Sequence, residues 1–249
     1  MIEPAAFWVA SVIAVILLGL AKGGFSGVGA LSLPLVAMTV SPVRAAAILL
    51  PILIVQDVVG VWAFRRTWDG YVLGWMLPGA VVGIALGYQF AASVEPGGVL
   101  GLVGAVSILF GAYRLWVEGR DGPATASGSP GWVGSLFGVA SGFTSQVAHA
   151  GQPPFQLWVL PRRLERNVLV GTTAIFFAAV NWIKVPAYVA LGQFDRANLI
   201  AAAMLLPLAI LSTLAGVWLV RRVSVERFYT AIYVLMILVG IRLVWDALR

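Results

Sequence analysis

Along the 249 residues, apolar positions gather in blocks of about 20, the length that carries a helix across a hydrocarbon core. Uninterrupted blocks lie at 45–64, 71–91, 97–117, 167–190, 197–220 and 225–247, and each predicts one membrane-spanning helix. Two further stretches resist that treatment. Residues 5–40 would extend ~54 Å as one helix, and they are broken at Lys22–Gly29 by "KGGFSGVG". Residues 131–160 are broken likewise, by "SQVAHAGQPP" at 145–154. The pattern predicts an all-α polytopic membrane protein, a single transmembrane domain over 1–249.

Composition agrees. The chain is 61% hydrophobic and 10% charged, against about 45–50% and about 25% for a soluble domain; its mean hydropathy is +0.97. The net charge of +6 does not point to nucleic acid, because the basic residues sit at the ends of apolar blocks, as orientation signals do. With no cysteine, disulfides and thiolate metal sites are excluded. No metal or cofactor is expected. The N-terminus has no basic region ahead of its apolar run, so it reads as the first membrane segment and not as a cleaved signal.

A polar linker, "EGRDGPATASGSP" at 118–130, divides the chain almost in half. The halves resemble each other in order: "GGFS" (23–26) with "SGFT" (141–144), "TWDG" (67–70) with "QFDR" (193–196), "MLPGAVVGIALG" (76–87) with "LLPLAILSTLAG" (205–216), and "GAYRLW" (111–116) with "GIRLVW" (240–245). This predicts two repeats, 1–119 and 131–249, of about four hydrophobic segments each, a signature of transporter folds. If the broken segments cross the membrane once, the basic residues divide evenly between its sides. If they are hairpins, ten arginines, among them Arg65, Arg66, Arg162, Arg163, Arg221 and Arg222, face one side. Only Arg44, Arg196, Arg242 and Arg249 then face the other. That bias is the one the positive-inside rule expects. The expectation is therefore inverted repeats, the first segment of each re-entrant near the midplane, with both termini on the non-cytoplasmic side of a cell (inner) membrane.

Irregular backbone is tolerated in hydrocarbon only where protein buries it or a watery cavity borders it. The first break offers glycines for a tight reversal, Gly24, Gly27 and Gly29 among them, with Lys22 and Ser26. A new short helix would follow, its N-terminal N–H groups favouring an anion. The second break offers donors at Thr144, Ser145, Gln146, His149 and Gln152. Two such breaks meeting in the membrane suit an anion site of a secondary transporter.

The glycine-rich "GGFSGVGALSLPL", the diverged "GQPPFQL" at the equivalent place and the eight hydrophobic segments resemble the TauE/SafE sulfite-exporter family, also called toluene-sulfonate uptake permeases. The resemblance implies transport of small sulfur-containing anions such as sulfite, sulfonates or sulfoacetate. Here "SQVAHAGQPP" replaces that family's usual glycine-rich second motif.

Several residues carry two readings. Lys22 is either a substrate-facing cation or a lysine snorkelling to the interface. His149, the only histidine, is either a structural donor or a group that meets substrate or proton. Asp57 and Lys184 hold near-equivalent places in the two halves, so they are either a pair that stabilises the bundle or a gating and proton-coupling element. Asn181 shares the helix face of Lys184, and Gln56 is a further donor. Trp8, Trp62, Trp68, Trp116, Trp132 and Trp245 fit an interfacial belt, and Gly79, Gly83 and Gly87 form a helix-packing ladder. The rival class is an intramembrane serine protease of rhomboid type, with "GFSG" supplying Ser26 as nucleophile and His149 as base. A repeated architecture has no place in that reading, so the chain is expected not to be an enzyme.

Overall fold

A computed structural model describes residues 4–23, 28–118, 128–219 and 226–249. Helix α1 (Ala5–Gly23) and a 3-10 turn (Val28–Leu31) lead into the short α2 (Ser32–Ala37). Helices α3 (Pro42–Phe64), α4 (Gly70–Ser93) and α5 (Pro96–Glu118) complete the first half. The second half repeats the order with α6 (Gly131–Ala148), the short α7 (Gln152–Val159), α8 (Arg166–Ala190), α9 (Arg196–Leu219) and α10 (Glu226–Ala247). No strand occurs among the described residues. Helices or segments at 5–23, 42–64, 70–93, 97–116, 167–190 and 196–219 are long and apolar enough to cross a membrane. The protein is thus an all-helical, multi-pass membrane protein.

Local chemistry sets the helix starts. Ser41 precedes Pro42 and accepts the Arg44 N–H at 3.3 Å, placing proline in the first turn where its missing N–H costs nothing. Asp69 caps α4 through the Val72 N–H at 2.9 Å, and Glu165 caps α8 through the Asn167 N–H at 3.2 Å. Both breaks are narrower than the sequence implied. Helix α1 keeps Lys22 and Gly23 in its last turn, and α6 continues through Ser145–Ala148, so the second interruption is only His149–Gly151.

Glycines decide how closely the long helices approach. A β-carbon at Gly83 would stand 2.0 Å from the Val139 carbonyl oxygen, and one at Gly79 would stand 2.1 Å from that of Ser135. The ladder on α4 therefore packs backbone to backbone on α6. Contact positions rise together along both helices, which run parallel. The same holds for α1 and α9, where Gly19 meets Ser212 and Gly23 meets Gly216. Helices α5 and α10 run antiparallel, Gly104 against Gly240 and Gly111 against Tyr233. So do α3 and α8, where Asp57 meets Asn181 and Phe64 meets Gly171. Exchange of the two halves maps the α1–α9 contact onto α6–α4, and maps α5–α10 and α3–α8 onto themselves.

Two apolar clusters result. One joins α1, α2, α3, α5, α9 and α10 with the end of α6 and Tyr188 of α8; the other joins α4, α7 and α8 around Met76, Phe155 and Phe176. At the helix ends Trp62, Trp68, Trp116, Trp132 and Trp245 are exposed, as a lipid-interface belt requires.

Candidate functional site

The ends of α1 and α6 meet the middle of α8 around a cavity of about 720 Å³ including its mouth. Leu18, Ala21, Leu53, Val170, Ala174 and Phe177 supply apolar walls, and Lys22, Ser145, His149, Gln152, Asn181 and Lys184 supply the polar groups. Gly29, from the far side of the first break, completes the lining.

Charge is distributed unevenly. Lys22 forms an ion pair with Asp57 Oδ1, and Asn181 Nδ2 donates to Asp57 Oδ2 at 2.6 Å. Both carboxylate oxygens thus face partners that themselves line the cavity. Lys22 does not reach for an interface: it turns inward, with its ammonium 5.7 Å from the centre of the Phe177 ring.

Lys184 is fully buried, and no carboxylate pairs with it among the described residues. Its three N–H donors find Ser145 O at 3.2 Å, Ser145 Oγ at 3.2 Å and His149 Nδ1 at 2.9 Å. The Ser145 carbonyl belongs to the last turn of α6, where a cation also meets the negative end of the helix dipole. Asp57 and Lys184 are therefore not a pair with each other. Each reaches the broken end of the first helix in its own half, Asp57 to α1 and Lys184 to α6. That correction could come only from three-dimensional distances.

His149 terminates α6 in the left-handed region, at φ 50°. Its own N–H bonds to Ser145 O and the next one, Ala150 N–H, to Thr144 O, closing the helix as a glycine normally would. The ring stacks on Tyr188 at 6.2 Å, and Nε2 lies 3.0 Å from the Ala46 carbonyl oxygen. A carbonyl only accepts, so the proton is assigned to Nε2 and Nδ1 is left as the acceptor for Lys184.

Other sequence candidates lie elsewhere. Thr144 spends its hydroxyl on Ala140 O at 2.8 Å within its own helix. Gln146 is buried against Gly87 and contributes its carbonyl to Tyr188. Gln56 points between α1 and α9, donating to Val15 O and Ala209 O at 3.3 and 3.4 Å. None of the three lines the cavity. Gly24, Ser26 and Gly27 lie outside the described residues. Sequence reasoning missed Thr173, Phe177 and Tyr188. The first two were signalled by helical spacing, because 170, 173, 177, 181 and 184 form one stripe on α8. In the second break Pro153 and Pro154 occupy the first turn of α7 and bring no N–H, so its donors are side chains.

A protein-family model described as sulfite exporter TauE/SafE matches residues 11–243. The chain belongs to that family. No curated protein and no solved structure matches it. Members of the TauE/SafE family are membrane transporters described as sulfite exporters, and the multi-pass helical fold here accords with that. In this TauE/SafE chain the two sequence breaks converge on one chamber.

Proposed function

We propose that this chain is a secondary transporter of small sulfur-containing anions such as sulfite, sulfonates or sulfoacetate, which bind in the cavity between α1, α6 and α8. The observation that carries this reading is Lys184, a buried lysine with no carboxylate partner among the described residues, beside apolar walls and a second lysine. A buried, uncompensated charge is expensive, and an anion is the group that offsets it. Proton coupling belongs to the proposal, with His149 on the cavity wall and Asp57 behind it as titratable groups. Gln56, Asn181 and Lys184 belong with Asp57 to the helices whose rearrangement would gate access. The chain resides in a cell (inner) membrane with both termini on the non-cytoplasmic side.

Inverted repeats, 1–119 and 131–249, form part of the same proposal. The packing directions support it: α1, α3 and α9 run one way and α8 the other. If α4 turns back on α3 through its short loop, α6, parallel to α4, opposes α1. Each helix of one half then opposes its counterpart. Alternating access would exchange the conformations of the two halves around the shared cavity.

The protease reading needs His149 to accept a proton from Ser26. The acceptor nitrogen of the ring is already engaged by Lys184, which favours transport. The test is flux and binding in proteoliposomes with sulfite, sulfoacetate, taurine, sulfate and thiosulfate, with and without a pH gradient. Absence of flux for every one of them would remove the transporter reading. Covalent labelling of Ser26 by a serine-directed inhibitor would put the protease in its place.

A further inference from the structure

We infer that the cavity is selective for valence, accepting singly charged sulfur oxyanions over doubly charged ones, and that Asp57 sets this preference from behind the lining. This rests on the reading of the cavity as an anion site and narrows its substrate class to alkanesulfonates and hydrogen sulfite. Sulfate, thiosulfate and the sulfoacetate dianion are disfavoured.

The titratable groups in the cavity wall and directly behind it come from each element packed around it. Helix α1 brings Lys22, α3 brings Asp57, the end of α6 brings His149, and α8 brings Lys184. Asp57 neutralises Lys22, to which it is directly paired. His149 carries no charge while Nε2 donates to Ala46 O and Nδ1 accepts from Lys184. Lys184, when protonated, is left as the one unbalanced charge among the described residues of the cavity, and the remaining walls are mostly aliphatic or aromatic. An anion bearing one negative charge balances it. A second negative charge would be desolvated without a counter-charge, which low-polarity surroundings penalise steeply. Asp57 does not itself line the cavity. It acts through Lys22 and Asn181, both of which do, so it is a positioning residue that sets the net charge without touching the substrate.

The probes are methanesulfonate and sulfate, which share a tetrahedral sulfur–oxygen group and differ by a methyl in place of a charged oxygen. Binding of each is measured on the purified full chain in detergent, and competition against flux is measured in proteoliposomes. The wild-type protein should prefer methanesulfonate. Asp57→Asn, nearly isosteric, frees the Lys22 charge and should shift the sulfate-to-methanesulfonate affinity ratio toward sulfate by about tenfold or more, the effect of one unit charge a few ångström away. Adding Lys22→Met to Asp57→Asn removes the freed charge and should restore the wild-type ratio. A purely structural role for Asp57 would not produce that return. Equal binding of the two probes by the wild-type protein, or a preference for sulfate, overturns valence selection while leaving the anion site standing. So does an unchanged ratio in folded Asp57→Asn. Failure of both probes, together with sulfite and taurine, removes the anion site itself. If Asp57→Asn does not fold, the wild-type ratio and the double variant, which buries no unpaired charge beyond the one at Lys184, still decide the matter.

Discussion

Lys184 Nζ stands 2.9 Å from His149 Nδ1, and this contact joins the middle of α8 to the broken end of α6. With the Ala46 carbonyl oxygen placing the imidazole proton on Nε2, it presents the lysine and the ring to the cavity together.

Replacing His149 separates its roles. His149→Gln keeps an acceptor for Lys184 and should retain part of the anion binding. It should also flatten any pH dependence of binding that the imidazole confers. His149→Gly suits the left-handed backbone at φ 50° but removes the acceptor and the stack on Tyr188, so binding should fall further while folding persists. Methanesulfonate binding across pH, measured for both variants, checks this. Equal loss in Gln and Gly variants would mean that the acceptor at Lys184 is irrelevant.

Lys22 is tested through its partner. Lys22→Met leaves the Asp57 carboxylate buried with only Asn181 to bond it. Removing one member of a buried pair typically costs about 3–5 kcal/mol, and the surviving amide hydrogen bond places the expectation at the lower end. Asp57→Asn in the same chain should recover most of that loss. Thermal unfolding in detergent reads both. Wild-type stability in Lys22→Met alone would show that the pair does not hold α1 to α3.

Orientation can be mapped because the chain has no cysteine. Single cysteines at Thr67, Thr125 and Ser224 should react only from the cytoplasmic side, and one at Ser93 only from outside. Ser93 and Ser224 reacting from the same side would rule out opposed repeats.

The glycine ladder predicts a contrast within one helix. Gly83→Ala places a methyl 2.0 Å from the Val139 carbonyl oxygen and should destabilise the protein by about 1–3 kcal/mol through forced separation of α4 and α6. Gly74→Ala, with nothing within 4 Å of the added carbon, should be neutral or stabilise by about 0.5–1 kcal/mol. A matched pair of unfolding curves settles it; similar curves would mean that α4 and α6 are free to move apart.

Family, the all-helical multi-pass class and the location of both breaks were legible in the sequence because their causes are local or periodic. A span needs about 20 apolar residues wherever it lies, and Gly, Pro and polar residues interrupt it by their own backbone preferences. The ladder at Gly79, Gly83 and Gly87 was legible for the same reason. What the sequence left open was the choice of partners. Asp57 and Lys184 matched in position and opposed in charge, which made them a natural pair, yet Asp57 bonds to residues 35 and 124 positions away. Lys184 bonds to Ser145 and His149, 39 and 35 positions away. Gln56 and Gln146 were as polar as His149, but each is rotated toward a neighbouring helix and away from the cavity. Hydrophobic spacing determines that long apolar helices form. Only packing, by fixing how each helix is rotated and which ends it meets, decides which buried side chains pair with one another and which, among the described residues, is left without a carboxylate partner.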